Sequence, residues 1–198
     1  MGFGIVCLGY LMIIFDSMGG GLIGWPLLFF GFLKLSEVNK SFKTSAVLSV
    51  LGLEYSIVNV LAIFEIVSGD GMLYKVSYAA YLAIVASLHI SFLLAIRQLA
   101  KEGGSQRLAN GAISRLYMSE VFYLWALIVI FIPSINTGTL SMLLLFFRYF
   151  VGVMNLWFLY TCFTKITTSS QIEKDIAYFK NLEKKEKEKQ NKRNKPKE

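Results

Sequence analysis

The sequence has one histidine, two cysteines and three prolines in 198 residues. A single histidine, His89, excludes a multi-histidine metal site. Cys7 and Cys162 both lie in apolar stretches and far apart, so they read as small buried thiols. Neither a disulfide framework nor a zinc site is expected. The chain has no G-x-x-x-x-G-K-[ST], no H-E-x-x-H and no serine in a G-x-S-x-G setting. Nucleotide-binding, zinc-protease and α/β-hydrolase chemistry therefore have no foothold, and no cofactor is expected. Charge is scarce as well, at 17% of residues, and it is nearly absent from several long stretches.

What fills those stretches is hydrophobic. Apolar residues make up 55% of the chain and mean hydropathy is +0.55. A soluble domain is about 45–50% apolar, with its apolar residues scattered by period. Here they gather in blocks near the ~20 residues that cross a ~30 Å hydrocarbon core. The blocks predict an all-α polytopic membrane helix bundle of five to six segments over residues 1–165. The segments fall at about 3–15, 22–35, 44–67, 76–100, 116–135 and 140–164. No Lys or Arg precedes the first block, so it lacks the basic start of a secretory signal and is expected to stay in place.

The first two blocks are short. Asp16, Ser17 and Gly19-Gly20-Gly21 separate them, and half of all glycines lie in the first 31 residues. Two short spans, a re-entrant hairpin and one kinked helix all fit. Non-helical backbone at that depth has to be buried in protein or line a wet cavity.

The net charge of +7 is not a nucleic-acid signal. Residues 171–198 hold ten Lys/Arg against six Asp/Glu, which accounts for +4 of it. The remainder sits in alternate connections. Residues 34–43 carry three Lys and residues 97–115 four Lys/Arg. The opposite connections offer Lys75 against Glu65 and Asp70, and an uncharged loop at 134–139. Basic residues stay in the cytoplasm, so the 34–43 and 97–115 connections and the C-terminus are expected inside.

The tail over 166–189 is expected to be a cytoplasmic amphipathic helix. Ser170 with Glu173 fits a capping box, and Ile172, Ile176, Phe179 and Leu182 recur at helical spacing. It either stands solvated or lies on anionic lipid. Residues 190–198 form a basic tail too polar to bury anything and are expected to be disordered.

Polar side chains within the blocks are the candidates for function, because charge inside a bilayer is expensive and tends to pair or to mark a pathway. Glu54, His89, Glu120 and Arg148 form the candidate site. At ~1.5 Å per residue, all four fall in the inner half of the membrane. Glu54 and Arg148 match best in depth and are expected to pair, as helix glue or as a gate or substrate site. His89 reads as a hydrogen-bonding partner of a neighbouring helix or as a proton carrier. Asp16 is expected to face outside water or to sit at the tip of a re-entrant turn. Two stripes of small residues, Ala79-Ala83-Ser87-Ser91-Ala95 and Ser45-Ser49-Gly52-Ser56-Asn59, read as helix contacts.

The opening Gly2-Phe3-Gly4, Leu8-Gly9-Tyr10, Ile23-Gly24-Trp25-Pro26, Phe30-Gly31-Phe32-Leu33-Lys34-Leu35-Ser36 and Asn39-Lys40-Ser41-Phe42 resembles small multi-pass membrane proteins of Gram-positive bacteria. The resemblance covers about the first 45 residues. Those proteins carry an acidic-Pro-Asp turn where this chain has Gly19-Gly20-Gly21. The resemblance implies a bacterial cytoplasmic membrane and no mechanism.

The expected function is a non-enzymatic subunit or regulator of a membrane assembly, with lipid and a membrane-protein partner or a second copy as its contacts. The alternative is a small oligomeric transporter or channel using the four polar residues. An intramembrane enzyme comes third. The first two differ in whether the polar side chains line a wet cavity or are closed off against helices.

Overall fold

Six α-helices and no strand appear among the residues that the computed structural model describes, 2–69, 71–132 and 137–166. They are α1 (Gly2–Ile14), α2 (Gly21–Ser36), α3 (Phe42–Ile63), α4 (Met72–Glu102), α5 (Gln106–Phe131) and α6 (Gly138–Lys165). The last four are long and apolar enough to cross a membrane, and α1 and α2 are shorter apolar helices.

Glycine makes α1 and α2 a tight antiparallel hairpin. Gly2 lies against Leu35, Gly31 against Val6, Gly9 against Leu28, and Gly24 against Ile13. Without side chains at these positions the two backbones approach closely, which drives association where lipid is as apolar as the helix. The turn is a short 3-10 helix, Asp16–Met18. Gly19 follows at φ +84°, a left-handed conformation that glycine adopts without a Cβ penalty. Of the three sequence alternatives, the kinked single helix is thereby excluded. A Cβ on Gly24 would stand 2.8 Å from the Gly9 carbonyl oxygen, a backbone atom with no freedom to rotate away. Gly24→Ala is expected to lose about 1–3 kcal/mol by overpacking, read as a fall in thermal stability in detergent.

Each of the first four helices packs on its successor. The hairpin is wedged into the bundle by large side chains. Trp25, Leu28, Phe32 and Phe42 are almost fully buried. Trp25 fits over Gly52 of α3, where any side chain would collide with the indole. Helix α6 joins through side chains, setting Gly152 against Ile14, Phe163 against Gly4 and Phe158 against Gly111. An apolar cleft of about 510 Å³ lies between α5 and α6.

Polar and apolar residues are inverted relative to a soluble protein. Asp16, Ser45, Ser49, Ser56, His89, Ser119 and Asn155 are buried, while Val47, Val50, Ile57, Val121, Phe146 and Trp157 are exposed. So much exposed apolar surface is foreign to water-soluble monomers and suits lipid.

Several boundaries differ from the sequence reading. α5 begins at Gln106, ten residues before the expected 116, because Leu108, Ala109 and Ala112 are buried and hold the polar start of the helix on the bundle. The loop before it is only Gly103–Ser105, with Gly104 at φ +72°. α3 ends at Ile63, and the chain turns through Glu65 at φ 59°. The small stripe on α3 is buried throughout. The one on α4 is not, since Ala83 and Ser87 are exposed and the buried face carries Tyr81, Val85, Leu88, His89 and Phe92 instead. The expected cytoplasmic helix and disordered tail lie, from residue 167 onward, outside the described residues, as do Pro133 and Asn136.

Candidate functional site

The buried polar side chains form two nodes, and two spaces that share wall residues lie beside them. The first node is Asp16, at the hairpin tip and 0% exposed. Ser56 Oγ donates to its Oδ1 at 2.9 Å, and Asn59 Nδ2 donates to its backbone carbonyl at 2.8 Å. Gly21, which opens α2, faces the same carboxylate so closely that a Cβ there would collide with Asp16 and Ser56. The α3 small face is therefore the seat of the hairpin tip. The Tyr81 hydroxyl and the Gly21 N–H also face this carboxylate, but no donor reaches Oδ2 with hydrogen-bond geometry.

Tyrosines extend this node. Tyr74 donates to Asn59 Oδ1 at 3.1 Å. Its proton is thus committed, so Tyr55 donates to Tyr74 across 3.2 Å. The Tyr55 and Tyr81 rings stack with centroids 4.1 Å apart.

The second node is His89, buried among α1, α4, α5 and α6. Its Nδ1 lies 2.8 Å from the Val85 carbonyl, which only accepts, so Nδ1 carries the proton. In the neutral ring Nε2 is then the acceptor, and Tyr10 donates to it at 2.8 Å. The Tyr10 oxygen accepts from Asn155 Nδ2 at 3.2 Å, and the other Nδ2 proton goes to Ser119 Oγ at 2.9 Å. The directions are fixed from one carbonyl outward, and four helices are tied together.

Arg148 lies between the nodes. A cavity of about 50 Å³ is bordered by Tyr10, Tyr81, His89, Tyr123 and Arg148, with Trp25 and Tyr78 also in its wall. A larger opening of about 520 Å³ is bordered by Ser17, Tyr55, Asn59, Tyr74, Tyr78 and Arg148. Tyr78 and Arg148 belong to both walls and so form the threshold between them. Among the described residues Arg148 makes no hydrogen bond and has no carboxylate within 4.0 Å. None of its nitrogens is sealed from solvent.

The four residues expected from sequence are not brought together. Glu54 is exposed on the outer face of α3 and forms no ion pair with Arg148. The reason is rotational. The small face of α3 turns inward to receive the hairpin, and Glu54 lies opposite it. The carboxylate that acts on Arg148 electrostatically is Asp16. Because Glu54 and Arg148 do not touch, the stability changes from Glu54→Gln and Arg148→Gln, of whatever sign, are expected to add within about 0.5 kcal/mol. Glu120 is half-buried, and its Oε1 has no partner. His89 is a hydrogen-bonded node beside the small cavity.

The residues missed from sequence are Asp16 as a core member, Tyr10, Asn155 and the tyrosines at 74, 78 and 81. The spacing of those three, four then three, places them on one helix face, and that was the available signal. Among the described residues no three His, Cys, Asp or Glu side chains gather as a metal site. No family model, curated protein or solved structure matches the chain.

Proposed function

We propose that the protein is a multi-pass protein of a bacterial cell membrane that admits a small polar solute from the outer side, as a transporter or channel does. The observation that carries this is the shared threshold: an open polar vestibule and a buried cavity meet at Tyr78 and an unpartnered Arg148. Thirteen residues of α1 reach only ~20 Å, short of a ~30 Å core. The hairpin is then re-entrant, and the vestibule is the wet space left beyond its tip. α3 to α6 are the four spans. Lys34, Lys40, Lys43, Arg97, Lys101 and Arg107 lie at the helix ends away from the vestibule, which supports a cytoplasmic placement of that end.

Orientation is tested by cysteines placed singly in a chain lacking Cys7 and Cys162. An impermeant reagent on intact cells should label residue 69 or 137 and miss residue 105. Solute passage is tested by osmotic swelling of proteoliposomes in isosmotic small anions, cations and neutral solutes. Faster swelling than in protein-free vesicles is expected for at least one class. Equal rates for all would leave the protein as a non-transporting subunit.

One observation favours that second reading. Glu54 sits mid-helix among exposed Val47, Val50, Leu51 and Ile57, a lipid face where a carboxylate costs ~2.5–3.5 kcal/mol. A basic group on a partner helix would remove that cost. Glu54→Leu is expected to raise the thermal stability of the isolated chain. If a membrane partner co-purifies, the same change should release it.

A further inference from the structure

We propose that the vestibule binds a small monocarboxylate with a flat apolar body, its carboxylate resting on Arg148 and Tyr78. This deepens the proposed function and rests on the vestibule being an outward-facing solute site. The hydrogen-bond inventory of the wall points to the ligand. Asn59 Oδ1 is taken by Tyr74, and Tyr74 by Tyr55. Among the described residues Arg148 and the Tyr78 hydroxyl make no hydrogen bond, and both residues border both spaces. On the inner side of the threshold the Trp25 indole N–H is also without an acceptor. The three unpartnered buried acceptors among the described residues, Asp16 Oδ2, Glu120 Oε1 and Asn155 Oδ1, belong to residues that border neither space. Among the described residues neither wall holds a carboxylate, so the threshold offers positive charge and the donors of Arg148 and Tyr78. Its complement is a group that only accepts, and the planar fork of a guanidinium fits a carboxylate through two parallel bonds.

The charge of the ligand follows from the cation count. Among the described residues Arg148 is the single cation in either wall, and it already feels Asp16. Lys75 is exposed and borders neither space. A dianion such as a phosphate monoester would be left half-neutralised. The body of the ligand follows from the walls. The rings of Tyr55, Tyr74 and Tyr78, with Ala62 and Ile63, give flat apolar surface around an opening of about 520 Å³, of the size of small-molecule sites.

The test uses the full-length protein in detergent with benzoate as probe, and benzyl alcohol, benzylamine and inorganic phosphate as comparators. Phenylglyoxal modification of each arginine is followed by mass spectrometry, with Arg107 as the exposed control. Benzoate is expected to slow modification of Arg148 at least tenfold and leave Arg107 unchanged, while the other three protect neither. Thermal stabilisation by benzoate should vanish in Arg148→Gln and persist weakly in Arg148→Lys. If Arg148→Gln does not fold, protection in the unaltered chain decides. Equal protection by benzyl alcohol would overturn the carboxylate and leave the solute site standing. Equal protection by phosphate would overturn the monoanion. No protection by any probe, with Arg148 reacting as fast as Arg107, would overturn both the ligand class and the solute site.

Discussion

Asp16→Leu is expected to destabilise the protein by about 2–6 kcal/mol, the sum of two independent losses. The first is hydrogen bonding. Ser56 Oγ points at the Asp16 carboxylate from 2.9 Å in a fully buried setting, and a buried donor left without its acceptor costs about 1–3 kcal/mol. The second is space. The carboxylate is cradled so closely by Gly21 and Ser56 that the wider, branched end of leucine forces the hairpin off α3, at about 1–3 kcal/mol. Asp16→Asn keeps an acceptor for Ser56 in the same shape and should cost about 1 kcal/mol. Thermal unfolding in detergent separates the three proteins. A leucine variant as stable as the parent would mean that the hairpin tip is not seated on α3.

Asn155→Asp is expected to cost as much, on the order of 3–5 kcal/mol, as a lone buried charge does. Asn155 uses both amide protons, one on Tyr10 and one on Ser119. Tyr10 cannot donate back, because its own proton is committed to His89 Nε2, and His89 Nδ1 to the Val85 carbonyl. Aspartate thus brings a carboxylate against an oxygen with no proton to give. Asn155→Leu removes the same bonds without adding charge. Interhelical hydrogen bonds in membranes are worth about 0.6–1.7 kcal/mol each, so the leucine variant should be the milder. The order, aspartate worse than leucine, is the diagnostic. The reverse order would mean that Tyr10 donates toward Asn155 and that the protonation pattern of His89 differs.

Much of this architecture was legible from composition and charge. Block lengths give the helices, and Gly19-Gly20-Gly21 beside Asp16 marks the break between α1 and α2 without choosing among two spans, a re-entrant hairpin and a kinked helix. The α3 stripe from Ser45 to Asn59 marks the packed face. What escaped is the combination of the last two. Glu54 lies opposite a stripe read as a helix contact, so it had to point outward. Depth along the axis was used to pair it with Arg148, and depth carries no information on rotation. Asp16 reads as a turn residue and not as part of the site, because a one-dimensional reading cannot tell a turn in water from a turn buried against α3. The start of α5 was lost for a related reason. Asn110-Gly111 is a loop signal locally, and tertiary contact overrides it, with Phe158 of α6 resting on Gly111.

The claim on which the functional account depends is that water reaches Arg148 from the outer side. Single cysteines at Ala62, on the vestibule wall, and at Tyr78, on the threshold, test it in intact cells, with Ile57 on the exposed face of α3 as control. Cys7 and Cys162 are replaced beforehand. With impermeant methanethiosulfonates the cysteines at 62 and 78 should react and the one at 57 should stay unmodified. At 78 the anionic reagent should outpace the cationic one relative to a free thiol, because the Arg148 field concentrates anions. No reaction at 62 and 78 would contradict a wet vestibule and return the protein to a closed helical subunit.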